Sequence, residues 1–167
     1  MLFALVSAPG WAQQVTLAEV REDFYMATLD YKHAFPLIEK LEDVKDPTPL
    51  VTAYKAATLA ILAKPGWNFF KKISYLKQSK HNFVDAIERN DTDVEIRFLR
   101  LSVEHHLPKY LGLSKNIETD KKMIMEKITS FSQKKLSPEI ANYIVTFAIE
   151  SGIYSQDEIE LVKKMLM

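Results

Sequence analysis

The chain of 167 residues contains no cysteine. This absence excludes disulfide bonds, thiolate nucleophiles and cysteine-ligated zinc or iron sites. Glycine and proline are also scarce, with four and seven residues, about half of their usual combined frequency. A glycine-rich phosphate loop and a sheet protein with many tight turns therefore fit poorly, and the composition favours an all-α fold.

The chain also lacks a net charge, because its 22 basic residues balance its 22 acidic residues. Proteins that attract nucleic acid by bulk electrostatics usually carry a clear basic excess, so we expect no nucleic-acid partner. The charge is unevenly distributed along the chain, however. Positions 47 to 84 contain no acidic residue, and all of the basic residues there are lysines: Lys55, Lys64, Lys71, Lys72, Lys77 and Lys80.

The first twelve residues, MLFALVSAPGWA, form an apolar run that ends in small residues. Gly10 and Ala12 occupy the minus-three and minus-one positions of a signal-peptidase site, which would place Gln13 at the start of the mature protein. The run is shorter than the roughly 20 apolar residues of a membrane span. We predict that residues 1–14 are a signal-peptide remnant of a protein exported to the bacterial periplasm or cell envelope. The alternative is a disordered tail or a first helical turn of a cytoplasmic protein.

Residues 15–167 carry repeated helix-start signals. Thr16 with Glu19, and Ser155 with Glu158, have the spacing of capping boxes. Breaks at proline and glycine, with further N-cap residues, separate eight amphipathic segments joined by short turns, which is typical of an antiparallel stack or bundle. The further N-caps are Thr48, Asn68 and Ser137. We predict a single all-α domain with helices near 16–31, 35–45, 49–64, 68–90, 93–106 and 115–133, and two more that begin near 138 and 155.

One short segment resembles a known repeat. Ala86 follows Phe83 by three residues, and the sequence Ala-Ile-Glu-Arg-Asn-Asp-Thr-Asp covers 86–93. This pattern resembles the second helix and closing turn of a tetratricopeptide repeat (TPR), with Asp91 in place of the family's usual proline. The resemblance implies a right-handed TPR-like stack with irregular repeats, and an irregular helical bundle is the alternative. As a whole, the chain resembles exported bacterial helical proteins.

The fifth predicted helix is apolar on two opposite faces. At 100° per residue, one face consists of Val94, Phe98 and Leu101, and the other of Ile96, Leu99, Val103 and Leu107. A helix that is buried twice belongs in the middle of a stack. Two polar stripes separate these faces, and we expect one of them to face a groove. The first stripe is Arg97, Arg100 and Glu104, and the second is Glu95, Ser102 and His106.

The candidate site residues are Arg97, Arg100 and Glu104. Planar guanidinium groups suit carboxylates, so these residues would line a groove for an acidic or C-terminal peptide group. The competing interpretation is ordinary ion pairs within the helix, between Arg100 and Glu104 and between Arg97 and Asp93. With no catalytic motif in the chain, we predict a non-enzymatic protein- or peptide-binding or scaffolding domain.

Motifs for catalysis or metal binding do not occur in the sequence. Neither Gly-x-Ser-x-Gly nor His-Glu-x-x-His is present, and the adjacent residues His105 and His106 point about 100° apart on a helix. We therefore expect no metal ion and no cofactor. The alternative function is a periplasmic-type hydrolase or lyase whose site combines Glu104, His105 or His106 with the 107–113 loop.

The predicted helix over 68–90 mixes aromatic residues with lysines. One interpretation is an exposed basic-aromatic surface of Lys71, Lys72 and Tyr75, such as an interfacial membrane helix presents. The other is core packing with the lysines in solvent, which we favour because the lysines are scattered around the helix. In that interpretation the core-facing arc consists of Phe69, Ile73, Leu76, Phe83, Val84 and Ile87.

Overall fold

The computed structural model describes residues 15–63, 68–130 and 136–167. Within these ranges the chain forms eight α-helices and no β-strand, which confirms the predicted all-α fold. The predicted signal segment, residues 1–14, lies outside the described residues. The helices are α1 (Leu17–Leu29), α2 (Ala34–Glu42), α3 (Pro49–Leu62), α4 (Phe69–Arg89), α5 (Val94–His106), α6 (Ile117–Thr129), α7 (Pro138–Glu150) and α8 (Gln156–Leu166).

Side-chain caps determine where the helices begin. The Thr16 hydroxyl accepts a hydrogen bond from the Glu19 N–H at 3.3 Å, and the Glu19 carboxylate accepts one from the Thr16 N–H at 2.9 Å. Ser155 and Glu158 form the same capping box at the start of α8. Both predicted capping boxes are therefore confirmed. The other predicted N-caps are confirmed as well, at Thr48, Asn68 and Ser137.

Within the described ranges, two short 3₁₀ turns lie between the α-helices. The first, Tyr31–His33, joins α1 to α2. Asp30 caps this turn, because its carboxylate accepts a hydrogen bond from the Lys32 N–H at 3.0 Å. The second, Lys109–Leu111, lies inside the predicted 107–113 loop and ends at Gly112, whose φ is 62°. Glycine adopts this left-handed conformation without the steric cost that a Cβ atom imposes. The chain can therefore turn there between α5 and α6.

The odd-numbered helices pack in succession. Helix α1 contacts α3, α3 contacts α5, and α5 contacts α7. The even-numbered helices α2, α4 and α6 pack against the odd-numbered helices that precede them in sequence, and α8 packs on α7 and α6. This arrangement is a helical bundle, and right-handed TPR-like stacking stays a prediction. No helix in the described ranges combines the length and apolar character that a membrane crossing requires.

Helix α5 separates two apolar cores. Ile96 and Leu99 belong to the first core, which α1 to α4 complete. Phe98 and Leu101 belong to the second core, which α6 to α8 complete. The predicted burial of this helix on two faces is therefore confirmed.

Buried charged groups connect α5 to α6. Asp120 has no exposed surface, and its carboxylate accepts hydrogen bonds from Arg100 Nε at 2.6 Å and from Arg97 Nη1 at 3.1 Å. Glu104 accepts two hydrogen bonds from Asn116, from the backbone N–H at 2.8 Å and from the side-chain amide at 2.6 Å. The competing interpretation of pairs between Arg100 and Glu104 and between Arg97 and Asp93 is therefore wrong. Both arginines pair with Asp120 of the next helix.

We expect Asp120→Asn to lower the free energy of unfolding by about 3 kcal/mol or more, because it leaves the buried Arg100 guanidinium without a counter-charge. Urea denaturation followed by circular dichroism measures this loss. The matched control is Asp43→Asn at an exposed position, which should change stability by no more than about 0.5 kcal/mol. Equal midpoints for the two variants would contradict a stabilising role for the Asp120 cluster.

Candidate functional site

A groove of about 720 Å³ lies among the odd-numbered helices. Its walls come from α1, α5 and α7, and the buried Tyr54 of α3 reaches it from below. The volume falls within the range of ligand-binding sites, roughly 300–1,000 Å³. Most of the lining is apolar, and its aromatic members are Phe24, Tyr25, Tyr54, Phe98, Tyr143 and Phe147.

A charged network forms the floor of this groove. Glu95 is only 3% exposed. Its carboxylate accepts hydrogen bonds from Arg21 Nε at 2.8 Å and from the Tyr54 hydroxyl at 2.6 Å. A second Arg21 nitrogen, Nη2, donates to the other carboxylate oxygen, so the contact is bidentate. The positive charge of Arg21 is thus paired with Glu95 within the floor, so it does not attract an acidic ligand.

The environment of the floor stabilises the protonated forms of Tyr54 and Arg21. Burial raises the pKa of Tyr54, and the nearby Glu95 charge raises it further. The hydrogen bond to Glu95 raises the pKa of Arg21. At neutral pH the Tyr54 phenol and the Arg21 guanidinium therefore both keep their protons. Since the three groups come from α1, α3 and α5, the network holds these helices in fixed relative positions.

Two tyrosines meet at the edge of the groove. The rings of Tyr25 on α1 and Tyr143 on α7 stack with centroids 5.7 Å apart and an interplanar angle of 21°. The two residues are 43% and 38% exposed. Partial burial and the neighbouring Tyr25 raise the pKa of Tyr143. The stack brings the first and seventh helices together and presents aromatic surface to solvent at the groove mouth.

The rim of the groove is acidic. Glu22 of α1 and Glu139 and Glu150 of α7 line it, and all three are exposed. A hydrogen bond from the Ser137 side chain is the main cause that lowers the pKa of Glu139, which keeps this carboxylate ionised at neutral pH. Because Arg21 is already paired with Glu95, the rim carries an excess of negative charge.

The two predicted polar stripes of α5 have different surroundings. Glu95, Ser102 and His106 line the large groove, so this stripe faces a groove as expected. Arg100 and Glu104 of the other stripe line a smaller cavity of about 220 Å³ between α4, α5 and the segment 107–116.

Arg97, the third predicted site residue, lines neither of these cavities. Its guanidinium donates to the Asp91 carbonyl as well as to Asp120. The charges of Arg97, Arg100 and Glu104 are therefore engaged by other parts of the chain, and peptide binding by these three residues stays a prediction.

The α1 and α7 walls were not among the predicted site residues. On α7, Tyr143, Thr146, Phe147 and Glu150 recur at three- and four-residue spacing. This pattern forms a second face beside the one that the second core buries. The sequence therefore contained a signal for this wall, although nothing in it placed α7 opposite α1.

The predicted basic-aromatic surface lies on α4. Lys71 is exposed, Lys72 and Tyr75 are half-buried, and the Lys71 Nζ lies 5.7 Å from the centre of the Tyr75 ring. The expectation that Phe69 and Val84 pack in the core is wrong, because they are 64% and 39% exposed. The other members of the predicted core-facing arc are buried or half-buried.

The histidines of α5 lie beside an aromatic ring instead of a carboxylate. The His105 ring packs against Phe147 with centroids 5.3 Å apart, and His106 Nδ1 lies 2.7 Å from the Ser102 carbonyl oxygen. In the part of the chain that the structure describes, no histidine forms an ion pair. The described ranges also contain no group of three side chains suited to hold a metal ion.

Comparisons with known proteins found no relative: no protein-family model, curated protein or solved structure matches this chain. The candidate function therefore rests on the geometry and charge of the groove.

We expect the pKa of His105 to lie below its ordinary value of about 6.5. Burial is the main cause, and the positive charges of His106 and Lys109 add to it. Folding then favours the neutral imidazole. The neutral His105 ring therefore stabilises the fold fully at a pH above the unfolded-state pKa, and this stabilisation decreases as the pH falls towards the folded-state pKa. An NMR titration of the His105 ring, in the folded and the urea-unfolded chain, measures the difference. A folded-state midpoint equal to or above the unfolded one would contradict this assignment.

Proposed function

We propose that this chain is a non-enzymatic binding domain whose groove between α1, α5 and α7 receives a segment of another protein. The observation that carries the proposal is the groove itself, which is large, mostly apolar and lined by six aromatic side chains. Aromatic residues supply much of the energy of protein recognition, because they bury a large area and lose little conformational entropy. A groove of this kind suits the apolar side of a peptide.

The charge of the rim indicates the chemistry of the partner. Glu22, Glu139 and Glu150 surround the opening, and the Arg21 charge is neutralised within the floor. Complementary charge favours a correctly oriented encounter and disfavours partners of the same sign. The partner segment we propose has apolar or aromatic residues for the groove, flanked by lysine or arginine for the rim.

The arrangement of the helices supports this proposal. Among the described residues, those that line the groove all belong to odd-numbered helices, and repeat arrays use the continuous surface formed by successive equivalent helices for binding. The TPR-like resemblance of residues 83–93 agrees with such a use. An exported protein of the periplasm or cell envelope stays the proposed setting.

Binding is favoured over the hydrolase or lyase alternative by the contents of the smaller cavity. That cavity adjoins the 107–113 loop and includes Glu104, but neither His105 nor His106 lines it. The Glu104 carboxylate is also bound by two Asn116 donors. General acid–base catalysis needs its groups within hydrogen-bond reach of one reacting atom. His106 instead lines the large groove, whereas Glu104 lines the smaller cavity.

We expect Thr146→Trp to prevent peptide binding. Thr146 is exposed on α7 and lines the groove, so an indole there fills the space without entering a core. Peptides selected from a displayed library on the wild-type chain should bind the Thr146→Trp variant about tenfold or more weakly, since each 1.4 kcal/mol of lost contact is tenfold. Fluorescence anisotropy with labelled peptides measures the change.

The matched control is Thr119→Trp, because Thr119 is an exposed threonine on α6 outside the groove. This variant should bind the selected peptides as tightly as the wild-type chain does. Selected peptides that bind both tryptophan variants equally well would show that the groove is not the binding site.

We expect Glu150→Lys to weaken binding of the selected peptides several-fold, and added salt to weaken wild-type binding in the same direction, because both changes reduce attraction between the rim and basic flanks. Glu88→Lys is the control, since Glu88 is exposed on α4 away from the groove. Selection of acidic peptides, or tighter binding by the Glu150→Lys variant, would contradict the proposed charge of the partner.

A further inference from the structure

The first two turns of α4 carry a surface that the groove does not use. Phe69 and Phe70 are 64% and 84% exposed, and their rings contact each other edge to face with centroids 6.1 Å apart. Single exposed apolar residues are ordinary, whereas a contiguous exposed apolar patch marks an interaction surface. We call Phe69, Phe70, Lys71, Lys72 and Tyr75 the α4 patch.

The exposed side chains at the start of α4 surround the helix instead of lying on one side of it. Consecutive helical side chains point about 100° apart, yet Phe69, Phe70 and Lys71 are all exposed. Farther along the helix, Tyr75 is half-buried against the first core, and the first buried side chain of α4 is Leu76. Apolar and basic groups therefore extend in several directions around the start of the helix.

The charge of this region is positive and local. Helix α3, which packs against α4, contains no carboxylate, and neither does α4 before Asp85. Lys71 is exposed with its Nζ near the Tyr75 ring, a position that keeps the ammonium beside the aromatic groups. The α4 patch thus combines exposed phenyl rings with cations that these two helices do not neutralise.

We propose that the α4 patch docks the chain on the surface of an anionic lipid bilayer. Phe69 and Phe70 enter the interface between headgroups and acyl chains, and Lys71 and Lys72 contact the anionic headgroups. A bilayer accepts apolar groups that project in several directions. Single-stranded nucleic acid, in contrast, requires a basic groove along which its backbone can run. Docking of this kind needs no membrane-spanning helix and is independent of the function proposed for the groove.

Co-sedimentation of the whole chain with phosphatidylcholine vesicles, with and without phosphatidylglycerol, tests the proposal. The wild-type chain should sediment with the anionic vesicles and be released by added salt. The double variant Phe69→Ser/Phe70→Ser should bind about tenfold or more weakly, because it removes both inserted rings. The double variant Lys71→Gln/Lys72→Gln should lose about fivefold for each lysine.

Two exposed positions provide matched controls. Tyr110→Ser removes an aromatic ring that is 86% exposed outside α4, and Lys122→Gln removes a lysine whose side chain is 78% exposed on α6. Both control variants, and Thr146→Trp in the groove, should bind the vesicles as the wild-type chain does. Thermal unfolding by circular dichroism verifies that every variant is folded.

Three results would overturn the proposal. The first is a wild-type chain that stays in solution with anionic vesicles. The second is unchanged vesicle binding by the folded Phe69→Ser/Phe70→Ser variant. The third is a chain that does not bind the vesicles but does bind a single-stranded oligonucleotide, with this binding abolished by the lysine substitutions.

Discussion

Burial of α5 between two apolar cores is the constraint on which the other helices depend. A helix that is apolar on two faces has only two polar stripes, and each stripe carries a buried charge that pairs with a neighbouring helix. Glu95 pairs with Arg21 of α1, and Arg100 pairs with Asp120 of α6. Removing one partner of such a pair leaves a charge buried without compensation, which costs several kcal/mol. The position of α5 therefore fixes the positions of α1 and α6.

The groove follows from the same arrangement. Helices α1, α5 and α7 form its walls, and the Arg21–Glu95–Tyr54 network keeps α1 and α3 in place beneath it. In the floor the charge of Arg21 is paired with Glu95, and the exposed rim is acidic. A groove whose walls are already in place needs little rearrangement to bind, which lowers the entropic cost of association.

Local features of the structure were predictable from the sequence, whereas contacts between distant helices were not. Thr16 and Ser155 begin helices because their hydroxyls bond within one turn, and the two faces of α5 follow from residue spacing alone. The partner of Arg97 and Arg100 was missed because Asp120 lies on another helix. Periodicity also placed Phe69 in the core, but this first residue of α4 is 64% exposed.

The most direct test of groove binding is an NMR titration of the ¹⁵N-labelled chain with a peptide selected on it. We predict that the backbone amide signals of Tyr25, Ser102 and Tyr143 shift progressively with peptide concentration, because these residues lie on the three walls of the groove. Signals of α8, which contributes nothing to the groove, should stay in place. Shifts confined to α4, α6 or α8, with those three amides unchanged at saturation, would contradict the assignment of the groove as the binding site.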